Sequence, residues 1–133
     1  MDAIVKNLDR PDERPELPKG KAELVHLGDF IVVRGKLEPG WRWSNDWRPI
    51  MGTTSCQVPH TGIVVSGQWH FEMDDGNAFD LGPGDVYSIP PGHDAWVVGN
   101  DPVHTIDWAP SGDEATKRRN DTAVSFAKES ALS

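Results

Sequence analysis

Apolar residues along this chain come in short runs broken by glycine, proline, aspartate and asparagine. The clearest run is Gln68–Met73, where Trp69, Phe71 and Met73 alternate with Gln68, His70 and Glu72. A period of two is that of a strand with one face buried. Ala22–Leu27, Phe30–Leu37, Gly62–Val65, Ala78–Leu81, Val86–Ile89, Ala95–Val98 and Val103–Trp108 read as further strands. Between them lie Glu38-Pro39-Gly40, Ser66-Gly67 (read as a hairpin turn), Asp74-Asp75-Gly76-Asn77 and Gly82-Pro83-Gly84, all strong turn sequences. Strands recurring roughly every 8–12 residues predict an all-β antiparallel sandwich or barrel. Residues 41–52 have little period and read as an ordered loop.

The ends differ from this middle. Residues 1–20 carry Pro11, Pro15, Pro18 and Gly20 among charges and read as an extended arm. Its apolar start, Ala3-Ile4-Val5, could add an edge strand. Residues 21–110 form the barrel. Residues 111–133 are polar and alanine-containing, a tail or a short helix over Ala123–Ala131. Any helix is expected after Pro110.

Length and charge narrow the function classes. A chain of 133 residues is one domain with a single core. With 13 basic and 21 acidic residues the net charge is −8, which argues against a nucleic-acid or anionic-membrane surface. The only basic run, Lys117-Arg118-Arg119, reads as solvated. No apolar run approaches the roughly 20 residues of a bilayer span, and residues 1–14 lack an apolar signal core. The single cysteine, Cys56, has no internal disulfide partner, and a cytoplasmic location is expected.

Candidate chemistry gathers around two turns. Cys56-x3-His60-x6-Gly67 and Gly84-x5-Pro90-x-Gly92-His93 each read as strand, sharp turn and strand. Turns at one end of a small barrel would aim Cys56, His60 and His93 into one cavity. Pro59 breaks any regular strand between Cys56 and His60, and Gly92 frees the backbone before His93. A sulfur and two imidazoles suit a divalent transition metal such as Zn²⁺, Ni²⁺ or Fe²⁺, with a position open to water or substrate. The bland readings are a buried small hydrophobe for Cys56 and a backbone or Asp94 hydrogen bond for His93.

These two motifs resemble those of the cupin superfamily, written G-x5-H-x-H-x3/4-E-x6-G and G-x5-P-x-G-x2-H-x3-N. Gly67 matches the closing glycine of the first. His60 then stands at the glutamate position, Cys56 at the second histidine and Thr54 at the first. Gly84, Pro90 and Gly92 match the second motif. Ala95 stands where its histidine is expected; one inserted residue would put Trp96 there and keep Asn100 in place. The run Pro90–Trp96 (PPGHDAW) is similar to one subgroup of that superfamily. The resemblance covers about residues 35–108. It implies a single jelly-roll barrel, often dimeric, with a site in its mouth. The family's ligand pattern is changed at every position.

The remaining candidates are weighed on their surroundings. Trp96 would close the pocket or stack on a flat ligand. Arg42 and Arg48, among Trp41, Trp43 and Trp47, could hold a carboxylate or simply stack on the indoles. His104 could line the cavity from the last strand. Trp69 and Trp108 read as core. His70 falls on the face opposite Trp69 and Phe71, and His26 reads as structural. No nucleophile elbow, phosphate loop or calcium loop is present. The reading that stands first is a barrel with a metal-capable small-molecule pocket and no single reaction named; within it, two functions fit: a module that binds a small ligand without chemistry, or a metal-dependent oxygenase or isomerase acting on a small organic substrate. A homodimer is expected, with Ala3-Ile4-Val5 adding to a partner's sheet edge.

Overall fold

The computed structural model describes residues 2–110. They form nine strands: β1 (Glu16–Leu17), β2 (Gly20–Leu27), β3 (Phe30–Leu37), β4 (His60–Ser66), β5 (Gln68–Met73), β6 (Ala78–Leu81), β7 (Val86–Ile89), β8 (His93–Val98) and β9 (Val103–Pro110). All pairings are antiparallel. One sheet has the order β1-β2-β3-β9-β4-β7 and the other β6-β5-β8. The expected all-β jelly roll is the observed architecture. The tail or helix expected after Pro110 lies outside the described residues.

Alternation sets the interior. Leu37, Val64, Tyr87, Ile89 and Val103 from the large sheet meet Trp69, Phe71, Ala95 and Val97 from the small one. Ala22, Leu24, Ile31 and Val33 form a second cluster towards the β2–β3 end. β2 and β3 are joined as a hairpin, as are β5 and β6. The Ser66-Gly67 turn is not the hairpin expected. β4 pairs with β7 and β9, β5 with β6 and β8, so the chain crosses from one sheet to the other at Gly67. Gly67 has φ 90°, and a side chain there would run into the Pro102 carbonyl. The second motif does the same, passing from β7 to β8 through Pro90–Gly92.

Residues 41–52 are not a plain loop. A π-helical turn, Trp43–Trp47, runs into a single α-turn, α1 (Arg48–Met51). Pro49 fits the first turn of α1, and Gly52 ends it at φ 76°. The driving force is burial: Trp41, Trp43 and Trp47 are all in the core. The Trp47 indole N–H donates to the Pro18 carbonyl at 2.8 Å, tying this segment to the arm. The Val97 amide donates to the Trp41 carbonyl at 3.0 Å, tying it to β8.

The arm packs back on its own barrel. Leu24 exchanges backbone bonds with Asp12 and Glu13, and the Ala22 amide donates to the Pro15 carbonyl, which covers the edge of β2. Ile4 and Val5 form no strand and stay exposed.

Candidate metal centre

Cys56 is fixed by its backbone. Its amide donates to the His93 carbonyl at 2.7 Å and its carbonyl accepts from Gly92 at 2.7 Å. This pins the β4 approach segment against the start of β8. Gly92 takes φ 94°, and any side chain there would strike the Asp74 carboxylate, which accepts a hydrogen bond from Ser55 at 2.8 Å. Pro59 ends the irregular stretch, and His60 opens β4 opposite Ile89. The result brings ligand atoms of Cys56, His60 and His93 within 4.8 Å of one another.

His93 is oriented by a hydrogen bond through Nδ1, and His60 Nδ1 has an ion-pair contact. His93 is 1% exposed, and its Nδ1–H donates to the Pro90 carbonyl at 2.9 Å. A carbonyl can only accept, so Nε2 is left as the bare donor atom. His60 Nδ1 faces Asp107 Oδ2 at 3.6 Å. Tyr87 donates its hydroxyl to the other carboxylate oxygen of Asp107. Histidine backed by a carboxylate or carbonyl is the usual outer arrangement of a metal site.

The charges agree with this reading. Burial alone would raise the Cys56 thiol, but hydrogen bonds to His60 and His93 and their nearby charge outweigh it, lowering the pKa from 9.0 to about 6. Burial works against a charged His60 as well. Its contacts with Asp107 and Cys56 prevail and raise it from 6.5 to about 10. Burial, then the Asp107 charge, pushes the Tyr87 phenol far above its ordinary 10.0, so it remains a donor. Without a metal the trio is therefore a thiolate beside a protonated His60; a metal binding there would displace the His60 proton and meet one sulfur and two imidazole nitrogens, a donor set that fits a borderline-soft divalent ion.

A chamber of about 200 Å³ opens beside this cluster. Trp41, Trp43, Trp47, Trp69 and Phe71 wall it, with Cys56, His60, His93 and Asp107 at the polar end. The indole N–H groups of Trp41 and Trp69 are buried without hydrogen-bond partners among the described residues. Aromatic rings surround both, Trp47 at 5.0 Å from Trp41 and Phe71 at 4.5 Å from Trp69.

The other sequence candidates lie outside the chamber. Ala95, in register with the second motif, is the inward residue, 2% exposed and lining the cavity. Trp96 therefore points outward, because neighbours on a strand alternate. It packs on His70 at 4.3 Å and under the Arg42 guanidinium at 4.4 Å. Arg42 is also paired with Asp94 at 3.2 Å. Arg48 is exposed on α1, and His104 is half-buried on the outer face of β9. Trp108, expected in the core, is 36% exposed. It shares that outer face with Ile106 and His104, which puts Val103, Thr105 and Asp107 inside. Asp107 was missed for this reason: Ile106 and Trp108 are the more apolar set on β9, and they suggested the opposite phase; Tyr87, on β7, carries no motif signal. Thr54, at the first ligand position of the resembled motif, is exposed.

Comparison with solved structures returns the cupin barrel. KdgF from Halomonas sp. aligns with a TM-score of 0.57 and 21% identity over 86% of this chain and 98% of its own. A cupin-superfamily sugar phosphate isomerase from Silicibacter pomeroyi gives 0.58 and 17% over 82% of this chain and 76% of its own. Ectoine synthase from P. lautus gives 0.58 and 12% over 79% and 75%. No family model and no curated protein sequence matches the chain. At these identities the likeness is one of fold: this is a cupin-fold protein with a metal-capable pocket. Among the described residues no helix is long and apolar enough to cross a membrane.

Proposed function

We propose that Cys56, His60 and His93 hold one divalent transition ion and that the protein is a metal-dependent enzyme acting on a small organic molecule in the adjoining chamber. The observation that carries this is the convergence of three ligand atoms within 4.8 Å, with His93 held through Nδ1 by the Pro90 carbonyl and His60 facing the Asp107 carboxylate. Structural zinc sites close with four protein ligands, whereas three leave a position for water or substrate. When bound, the ion supplies Lewis-acid polarisation of a substrate oxygen. The chain's part is to exclude water with the tryptophan walls and to hold His60 through Asp107 and Tyr87. Isomerase-type chemistry is favoured over oxygenase chemistry, because a non-haem iron oxygenase site has two histidines and a carboxylate, and sulfur stands here instead. Zn²⁺ and Ni²⁺ suit the thiolate better than Fe²⁺.

One observation favours a non-catalytic binding module. Asp107 is the only carboxylate among the described residues lining the chamber, and Tyr87 and His60 already engage it. Elemental analysis of purified protein tests the shared site, with one ion per chain expected. Protein that stays metal-free after supplementation with zinc, nickel and iron in turn would remove the reading. We also propose a homodimer. Phe30, Val65, Val86 and Trp108 are exposed on the outer face of the large sheet, an apolar surface suited to a second copy. A monomer mass by light scattering would refute it.

A further inference from the structure

We infer that the chamber takes a single-ring, mainly apolar molecule carrying one oxygen donor, the phenol class, rather than a sugar or a polyanion. The inference rests on the metal reading only for where the oxygen lies. Size comes first. An apolar cavity of about 150 Å³ is enough for benzene, and drug-sized ligands occupy about 300–1,000 Å³. At about 200 Å³ this one matches one ring and a substituent.

Polarity decides the class. The walls are indoles and a phenyl ring, closed by Leu37 and Met51. A polyol needs a partner for each hydroxyl, since a buried hydroxyl without one is unfavourable. Most of the polar side chains are already engaged. The Thr53 hydroxyl donates to the Ser55 carbonyl at 2.7 Å, and the Gln57 amide donates to Ser55 oxygens at 3.0 and 3.3 Å. Thr105 bonds Tyr87. What remains is the Cys56–His60–His93 end, with room for one donor atom, and the indole N–H groups of Trp41 and Trp69, which only donate and are ringed by aromatic faces: enough for one oxygen substituent, too few for the many hydroxyls of a polyol. A phosphate or dicarboxylate would need a fixed cation, and no arginine among the described residues lines the chamber. The lining lysines, Lys21 and Lys36, face each other across β2 and β3, alternating with the inward Ala22 and Gly35. The Lys36 ammonium is held by Glu38 at 3.3 Å.

The test uses para-fluorophenol as probe and cobalt-loaded protein, read by fluorine NMR. Broadening of the fluorine line on binding is expected, because the ring lies beside the paramagnetic ion. Met51→Trp fills the far side of the chamber and should weaken the probe about tenfold with cobalt content unchanged. If that variant does not fold, Val58→Phe serves the same purpose. Galacturonic acid at the same concentration should neither bind nor displace the probe. Displacement by galacturonic acid, or probe binding that ignores both chamber-filling variants, would overturn the assignment. If no cobalt binds, the metal reading fails separately and the probe is titrated into metal-free protein. Binding lost on filling the chamber then supports the ring site, and absence of binding overturns it.

Discussion

β5 and β8 carry histidines on both of their faces, and the two faces behave differently. Outside, His70 meets Asp80 at 2.7 Å and Glu72 at 3.6 Å, with the Trp96 ring against it. Inside, His93 meets a backbone carbonyl, with Cys56 and His60 beside it. The outer cluster has closer carboxylates, yet Asp80 is 74% exposed and water competes for every contact. The inner cluster has one more distant carboxylate, but burial makes its few partners decisive. Residue type alone does not separate these clusters; the strand's alternation does.

The largest effect expected on this contrast is loss of the ion. His60→Ala and His93→Ala should each lose most of the bound metal, and the double variant little more, because ligands of one ion act as a unit. Elemental analysis after gel filtration reads this directly. Cys56→Ser should also lose most of the metal if sulfur is a full ligand. Asp107→Asn should keep the site but weaken it by about 10–100-fold, the usual effect of removing an outer partner. Competition with a chelating dye measures that step.

Acidity provides a third comparison, in metal-free protein. Cys56 has its pKa lowered on folding, so its contribution to stability grows as pH rises from about 6 to 9.0. His60 has its pKa raised, so its contribution is full below 6.5 and lost as pH rises to about 10. Between 6.5 and 9.0 the two slopes oppose. Denaturant melts of the wild type should therefore change little with pH in that window from this pair. Cys56→Ser removes the rising arm and should become less stable as pH increases. The smallest effect belongs to the outer cluster: His70→Ala should leave metal content unchanged and alter stability by no more than about 1 kcal/mol.

The sequence revealed the barrel because glycine and proline mark its turns and alternation marks its strands. β3, β5, β6 and β7 have the limits that the pattern predicts. It revealed the cluster of Cys56, His60 and His93 because His60 follows Pro59, His93 follows Gly92, and Cys56 lies four residues before His60, ahead of the same proline. It failed where phase had to be inferred from hydrophobicity. On β9 the more apolar alternate set, Ile106 and Trp108, faces out. On β8 an assumed insertion put Trp96 inward, where the unbroken register puts Ala95. The helical turns at Trp43–Met51 were hidden because the wide turn has no 3.6-residue apolar period, and tertiary burial of Trp43 and Trp47 drives it.

His60 belongs to the six-stranded sheet and His93 to the three-stranded one, while Cys56 lies on the strap between them. Loaded with the proposed ion, the cluster would act as a clasp on the sandwich, adding to the chain crossings at Gly67 and Pro90–Gly92 and to side-chain packing. A protein with one cysteine has no internal disulfide for that purpose. On that proposal, whatever unfastens the clasp, a chelator or a proton, would act first on the seam between the sheets at this end, where the chamber opens.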